Sequence, residues 1–390
     1  MTSSDIPSKT SLSSERKTFK RFMQVELWRT PEIEDLYPVL CSIEVACRDI
    51  NRLMRRVSTD NLDGLYSNNG NLVTTTSKEK NNYFLKKNNN NNTTNTNNTN
   101  TNTGAVKNIQ GEDQKKLDVI ANRILKTSLC CSQSVSIIVS EEDDEPCLCS
   151  NVIDNVAFSG DFAAVFDPLD GSSNIDSGLP TGSIFGIYRK RKFGATDAMS
   201  TVTQKGSDLL VAGYCLYSAA SHIVLTLGTG LHMFTLDEYT GEYYLTKSNI
   251  KMPRSGPIYS FNDVNKNKWN DAGVDHFLTD LKDGKRHGFD PKPTQRYMGA
   301  LVADAHNILL HGGIFGYPSA TDKPNGKLRL LYEANPLALI FEEAGGRATN
   351  GRKRILDINV EEIHQRTPLY LGSVQQIRNL EKYINFFSDE

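Results

Sequence analysis

Phe166-Asp167-Pro168-Leu169-Asp170-Gly171-Ser172-Ser173-Asn174 is the stretch on which the reading of this chain turns. The apolar run Ala163-Ala164-Val165-Phe166 has the length of a short buried strand and delivers Asp167 to the strand end. Pro168 stiffens the turn that follows, and Gly171 permits a backbone angle that other residues avoid. Two carboxylates three residues apart on such a turn can point into one pocket, and hard divalent cations such as Mg²⁺ take oxygen ligands of this kind. Beyond Asp170, the N–H groups of Gly171, Ser172 and Ser173 can cradle an anion. Carboxylate ligands beside an anion cradle are the parts of metal-assisted phosphate chemistry. The plain alternative is a solvated acidic turn, but an apolar strand seldom ends in this combination by chance.

Outward from that turn the local signals are weaker. Residues 135–139 form a second short apolar run, followed by Glu141 and Glu142; alone, these would be the start of a solvated acidic loop. Asp118 and Glu112 flank a Lys-Lys pair ahead of a helix candidate, residues 115–127, whose Leu117, Ile120, Ile124 and Leu125 share one face. Lys327 and Arg329 precede Glu333 on a leucine-rich segment, so cations suited to phosphate and an acid suited to metal share one stretch. His306 and His311 read as structural. Residues 25–60 carry a helical pattern in Leu36, Leu40, Ile43, Cys47 and Ile50, and a helix over 337–343 ends before Gly345 and Gly346 as a C-cap should. Strands and helices mix without strict alternation, which predicts a layered α/β architecture.

The 390 residues carry 44 Lys plus Arg against 46 Asp plus Glu, with 23% charged and 38% hydrophobic residues. That balance excludes wholesale disorder, and it lacks the basic excess of a nucleic-acid binder or of a membrane-surface protein. The long uncharged run over 209–236 is interrupted by glycines, tyrosines and serines, so two buried strands joined by a turn fit it better than a membrane span. Residues 1–24 read as a flexible solvated tail with no clear transit peptide, which points to a cytoplasmic protein while leaving a plastid open. Residues 88–103 contain nothing but Asn and Thr, and the polar segment 67–106 around them is expected to be a disordered insertion. The chain then divides into 25–208, with the metal-binding turn, and a second domain over 209–390. Of seven cysteines, the Cys130-Cys131 pair and Cys147 with Cys149 match no zinc spacing, and all are expected to be reduced thiols.

With Asn174-Ile175-Asp176 and Thr181-Gly182-Ser183-Ile184-Phe185-Gly186-Ile187-Tyr188 added to the turn, the chain resembles the class 1 fructose-1,6-bisphosphatases. The resemblance continues through residues 111–118, Ser140-Glu141-Glu142, Ala212-Gly213-Tyr214, Ile258-Tyr259-Ser260-Phe261-Asn262, residues 326–333 and Ile363-His364-Gln365-Arg366. It covers about 25 to 385 outside the insertion, and its texture is nearer the plastid type than the animal type. It implies an αβαβα layered sugar-phosphatase fold of two fused sub-domains. It also implies hydrolysis of the 1-phosphate of fructose 1,6-bisphosphate in gluconeogenesis, by in-line attack of a water. Glu112, Glu141, Asp167, Asp170, Glu333 and the Leu169 carbonyl would hold two to three Mg²⁺ per subunit, with Mn²⁺ able to substitute. Asp118 and Glu142 would take the proton of the attacking water. Asp170, Gly171, Ser172 and Ser173 would grip the departing phosphate. Asn262, Tyr297, Tyr317, Lys327 and Arg329 would bind the rest of the sugar bisphosphate, while Arg296 would reach a neighbouring subunit's site in a homotetramer. A sedoheptulose-1,7-bisphosphatase, a dual bisphosphatase and a non-catalytic sugar-phosphate sensor are the alternatives.

Three departures from the family pattern carry expectations. Where the animal-type AMP site has a glycine-centred turn, this chain has Thr30-Pro31-Glu32-Ile33-Glu34, and Asp161 and Phe162 stand where the pattern has Lys and Tyr. Pro31 offers no N–H and Glu34 would repel a phosphate, so weak or no AMP inhibition is expected although Arg189 still matches. Residues 189–207 hold no cysteine, so the plastid type's redox insertion is missing. The Asn/Thr tract falls in the loop that the family closes over its site, and deleting it is expected to leave turnover nearly unchanged.

Overall fold

A computed structural model of the chain describes residues 16–60, 62, 115–153, 160–190, 198–284 and 293–387. The Asn/Thr insertion and Glu112 lie outside these residues.

The larger of the two main sheets has eight strands. Its strands are β1 (Val135–Ser140), β2 (Cys147–Leu148), β3 (Phe162–Asp170), β4 (Thr181–Arg189), β5 (Leu209–Tyr217), β6 (Ser221–Thr226), β7 (Leu231–Asp237) and β8 (Glu242–Lys247), in the order β2-β1-β3-β4-β5-β6-β7-β8. β1 and β3 run parallel, and every other pairing is antiparallel. The uncharged run over 209–236 therefore makes three strands rather than two, because it turns twice, at Ser218–Ala220 and again at Leu227–Gly230. Among the described residues no helix is long and apolar enough to cross a membrane. The expected division at 208/209 falls between β4 and β5, which are neighbours in this sheet.

Both faces of the sheet are covered, so its strands are apolar on both sides. Along β3, Phe162, Ala164 and Phe166 belong to one core and Ala163 and Val165 to another, the period-two alternation of a strand. The first core packs against α1 (Phe19–Trp28), α2 (Tyr37–Met54) and α3 (Lys116–Cys131). The expected helical span 25–60 is broken because Pro31 cannot donate an N–H and disfavours helix before it; residues Pro31–Leu36 form a short 3₁₀ turn instead. On α3 the buried stripe is Leu117, Ala121, Leu125 and Leu129, with Ile120 and Ile124 only half-buried at its edge.

The second core, which takes in Val202 of the short α4 (Ala198–Val202), lies between the sheet and α6 (Leu301–His311) and α7 (Asn335–Glu343). Beyond these helices stands a five-stranded sheet in the order β10-β9-β11-β15-β13, built from β9 (Ile258–Ser260), β10 (Thr294–Gln295), β11 (Gly313–Tyr317), β13 (Arg347–Thr349) and β15 (Leu369–Gly372). The two-residue strands β12 (Leu328–Arg329) and β14 (Arg366–Thr367) pair separately. A third core, including Phe261, Phe277, Tyr370 and Ile377, joins the five-stranded sheet to α5 (Ala272–Asp283) and α8 (Val374–Phe386). The layers are thus αβαβα, as the family resemblance implies. Each large apolar side chain fully buried in these cores contributes about 1.5–3 kcal/mol, which is why three separate cores can hold five layers together.

The expectation that all seven cysteines are reduced is corrected at one pair. Cys130, at the end of α3, and Cys149, just beyond β2, form a disulfide. The cause is the antiparallel pairing of β2 on β1, which brings the chain after Leu148 back beneath α3; the 19-residue separation hides this in the sequence. Cys41, Cys47, Cys131, Cys147 and Cys215 are free. Thiol titration of unfolded, unreduced protein should count five thiols; seven would show that the pair does not form.

Candidate active site

The register of β1 against β3 builds the floor of the site. Ser140 lies opposite Phe166, so Glu141 and Asp167 leave two adjacent parallel strands side by side, and the Glu141 N–H donates to the Phe166 carbonyl at 3.2 Å. Ile137 and Val139 face the α6–α7 side, as do Ala163 and Val165, and the alternation carries Glu141 and Asp167 to that face too. Glu333 meets them from above. It sits in a five-residue π-helical turn, Leu330–Ala334, that leads into α7, and such turns displace a side chain from its α-helical position. Carboxylate oxygens of Glu141, Asp167 and Glu333 all lie within 4.8 Å of one another.

Electrostatically this arrangement is unbalanced. Asp167 and Glu333 are 2% and 3% exposed, so water screens them little. Burial, then repulsion from Glu141, Glu333 and Asp170, pushes the Asp167 carboxyl well above the usual carboxylate range. Burial raises Glu333 to about 7, with Glu141 adding to the rise and Arg329 opposing it. Arg329 is the counter-charge within the protein: its Nη2 lies 2.7 Å from Glu141, and its backbone N–H donates to Glu333. Among the described residues, one paired guanidinium, with Lys327 adding a smaller attraction on Glu333, faces three clustered acids and leaves a surplus of negative charge. An all-oxygen donor set of this kind fits a hard divalent cation, which would hold all three ionised.

The turn after Asp167 forms the wall beside this floor. The Asp167 Oδ1 accepts the Leu169 N–H at 3.0 Å, and the Ser183 hydroxyl donates to the Pro168 carbonyl at 2.7 Å, so the turn is fixed from both sides. Gly171 has a φ of 75°, and a Cβ there would stand 2.4 Å from the Ala300 Cβ, so both conformation and space demand glycine. Asp170 Oδ2 accepts the Val302 N–H at 2.7 Å at the start of α6. Burial raises Asp170 to about 7 despite that bond. Asp118 enters from the first turn of α3: its Oδ2 accepts the Lys115 N–H at 2.8 Å, and the Ser172 side chain stands within reach of the carboxylate. Burial raises it to about 7, opposed by the Lys115 N–H and reinforced by Glu141.

The opposite wall is organised by Asp304 of α6, which accepts the N–H groups of Met298 (3.1 Å) and Gly299 (3.2 Å) and the Ser260 hydroxyl (2.8 Å). This ties down the segment carrying Tyr297. The Lys327 ammonium lies 5.7 Å from the centre of the Tyr317 ring. Between the walls is a cleft of about 650 Å³.

Of the residues singled out in the sequence, Asp118, Glu141, Glu142, Asp167, Leu169 and Asp170 line the cleft. So do Gly171, Ser172 and Ser173 on one wall, and Tyr297, Tyr317, Lys327, Arg329 and Glu333 on the other. Asn262 does not line it, but its side chain comes near the Tyr297 hydroxyl. Arg296 is exposed and outside the cleft, with Nη1 on the Gln295 carbonyl. Sequence reasoning missed Asp304, a lone acid in an apolar helix, and the Lys115–Asp176 ion pair (2.5 Å) at the cleft edge. An acid in so apolar a helix was itself the available signal for the first.

This geometry meets its counterpart in known proteins. The profile described as "Fructose-1-6-bisphosphatase, N-terminal domain" matches residues 89–248, and "Fructose-1-6-bisphosphatase, C-terminal domain" matches 252–385. The chain belongs to the fructose-1,6-bisphosphatase family. It is 43% identical over 364 residues to the chloroplastic fructose-1,6-bisphosphatase of Brassica napus, covering 90% of this chain and 77% of that one. The Spinacia oleracea chloroplastic enzyme is 42% identical over 366 residues, with the same coverage. Among solved structures, Leishmania major fructose-1,6-bisphosphatase in holo form superposes with a TM-score of 0.78 at 31% identity, covering 95% of this chain and 99% of that one. The bisphosphatase profiles meet just after β8, where the eight-stranded sheet ends.

Proposed function

We propose that this cleft hydrolyses the 1-phosphate of fructose 1,6-bisphosphate to fructose 6-phosphate and inorganic phosphate, with Mg²⁺ held by Glu141, Asp167, Glu333, the free side of Asp170 and the Leu169 carbonyl. The observation that carries this reading is the cluster of three buried carboxylates at the end of two parallel strands, on the floor of a cleft walled by a glycine turn and by Lys327. Bound divalent cations supply charge neutralisation of phosphoryl oxygens and acidification of a water.

The protein's own groups then divide the work. The backbone N–H groups of Gly171, Ser172 and Ser173 hold the reacting phosphoryl group against the floor. Asp118, with a carboxyl raised to about 7, is suited to take the proton of the attacking water in line with the leaving oxygen, with Glu142 beside it. Lys327 and Arg329 bring positive charge to the substrate's phosphates, Tyr297 and Tyr317 line the sugar, and Asn262 orients the Tyr297 hydroxyl. Arg296, exposed beyond this cleft, serves a neighbouring subunit in a homotetramer. Relatives named chloroplastic support a plastid setting beside the cytoplasmic one read from the N-terminal composition.

The test is phosphate release from fructose 1,6-bisphosphate and from sedoheptulose 1,7-bisphosphate, with Mg²⁺ and with a chelator. Metal-dependent release from the first, much faster than from the second, is expected. Faster release from the second would reassign the substrate, and none from either would leave a sensor.

Arg189 supports the expected AMP insensitivity. Its Nη1 and Nη2 lie 3.0 and 3.3 Å from the two Asp35 oxygens, Nη2 donates to the Glu32 carbonyl at 2.8 Å, and its guanidinium lies 4.8 Å from the Phe162 ring centre. An anion would have to displace Asp35 to reach it. Titration with AMP should leave activity unchanged through the micromolar range; cooperative inhibition there would contradict this.

A further inference from the structure

One side chain unused by this chemistry joins the two segments that bring carboxylates to the floor. His364 Nε2 lies 3.0 Å from the Asp143 carbonyl oxygen, and His364 Nδ1 lies 2.7 Å from the Tyr332 hydroxyl. A carbonyl oxygen can only accept, so Nε2 carries a proton; burial holds the ring's pKa below the usual imidazole range, so the ring is neutral and Nδ1 accepts from Tyr332. Asp143 is the residue after Glu142 and two after Glu141, where β1 has ended and no longer constrains the chain. Tyr332, fully buried, immediately precedes Glu333 in the π-helical turn. The imidazole arrives on a third piece of chain, held against the second by the Leu330 N–H on the Gln365 carbonyl (2.7 Å) and by the β12–β14 pairing.

We propose, resting on the cation-binding reading above, that His364 is a positioning residue. Its neutral ring sets the spacing between the Glu141–Glu142 loop and Glu333, so that the carboxylates stay assembled against their own repulsion. A second cation beside Arg329 would do this by neutralising the acids and competing with the metal; a clamp on a backbone carbonyl does it without adding charge. The far side of the Asp143 loop is tied to α3 by Lys126 Nζ (2.7 Å) and Asn122 Nδ2 (3.2 Å) on the Asp143 carboxylate, so His364 completes a hold from both sides.

Groups that orient metal ligands typically change metal affinity about 10- to 100-fold when removed. The test compares His364→Gln with His364→Asn. The Gln amide nitrogen can reach the place of Nε2 and still donate to the Asp143 carbonyl, whereas Asn cannot. Mg²⁺ binding to substrate-free protein is followed by calorimetry, beside the Mg²⁺ dependence of turnover and the KM for fructose 1,6-bisphosphate at saturating Mg²⁺. His364→Asn should weaken Mg²⁺ binding by about 10- to 100-fold with little change in KM, and His364→Gln should recover most of it. Tyr332→Phe, which keeps the ring and its packing, should weaken it less than His364→Asn does, and it decides the matter if the Asn variant does not fold. Equal losses in the Gln and Asn variants would reduce His364 to a packing residue, and unchanged Mg²⁺ binding in all three would overturn the proposal. Because binding is read without substrate, wild-type protein that binds Mg²⁺ yet hydrolyses nothing would sink the proposed activity and leave this comparison intact.

Discussion

Asp167→Asn should lower turnover at saturating Mg²⁺ roughly a thousandfold or more while raising the melting temperature of the metal-free protein at pH 8. Asn keeps an oxygen for the Leu169 N–H, so the turn that Asp167 caps survives. What disappears is the charge at the centre of three mutually repelling, buried carboxylates. Without metal that charge is a cost to the fold; with metal it is a ligand. Opposite signs for activity and stability are what separate a cation site from an ordinary buried ion pair, where removing one partner destabilises. Phosphate release and melting scans in chelator check both halves. Near-normal turnover, or a lower melting temperature, would count against the assignment.

The second large effect is on pH. Asp118, Asp170 and Glu333 are raised to about 7, against about 4 in an unfolded chain. Between those values the folded protein holds protons that the unfolded chain has lost, so the stability these groups give is present at low pH and is lost as pH rises through 7. Half-buried His306, pushed down to about 3, works the other way below about 6.5, where the unfolded imidazole takes up a proton. The informative window is therefore pH 6.5 to 8. Metal-free protein should lose stability across it, on the order of 1 kcal/mol for each of the three carboxyls. Saturating Mg²⁺, which binds the ionised forms, should flatten the slope. Chemical denaturation at several pH values measures it, and a slope that is flat without metal would show that these acids are already ionised and balanced.

How much of this was legible beforehand differs from residue to residue. The Asp167 turn announced itself, because an apolar strand, a proline, two acids and a glycine are local signals. The layered fold followed from mixed strands and helices and from the family resemblance. Glu141 and Glu333 were weak in isolation, since what makes them a site is the β1–β3 register and a π-helical turn, neither of which has a local pattern. Asp304 reaches back to the nearby Met298 and Gly299 N–H groups and to the distant Ser260 hydroxyl, and His364 reaches the Asp143 carbonyl from the other end of the chain; no spacing rule predicts these pairings. The N–H that Pro31 lacks is missing both toward a phosphate and toward the helix expected over 25–60, which breaks there. The Cys130–Cys149 bond depends on a two-residue strand, too short to read in advance.

The central claim is that Glu141, Asp167 and Glu333 hold the cation on which hydrolysis depends. Crystals grown with Mn²⁺, a Mg²⁺ stand-in with an anomalous signal, test it most directly. An anomalous peak is expected among the three carboxylates, about 2.0–2.3 Å from their oxygens, with Arg329 drawn off Glu141 or sharing it. A cleft without a peak there, the Arg329–Glu141 pair unchanged and the enzyme active under the same conditions, would contradict it.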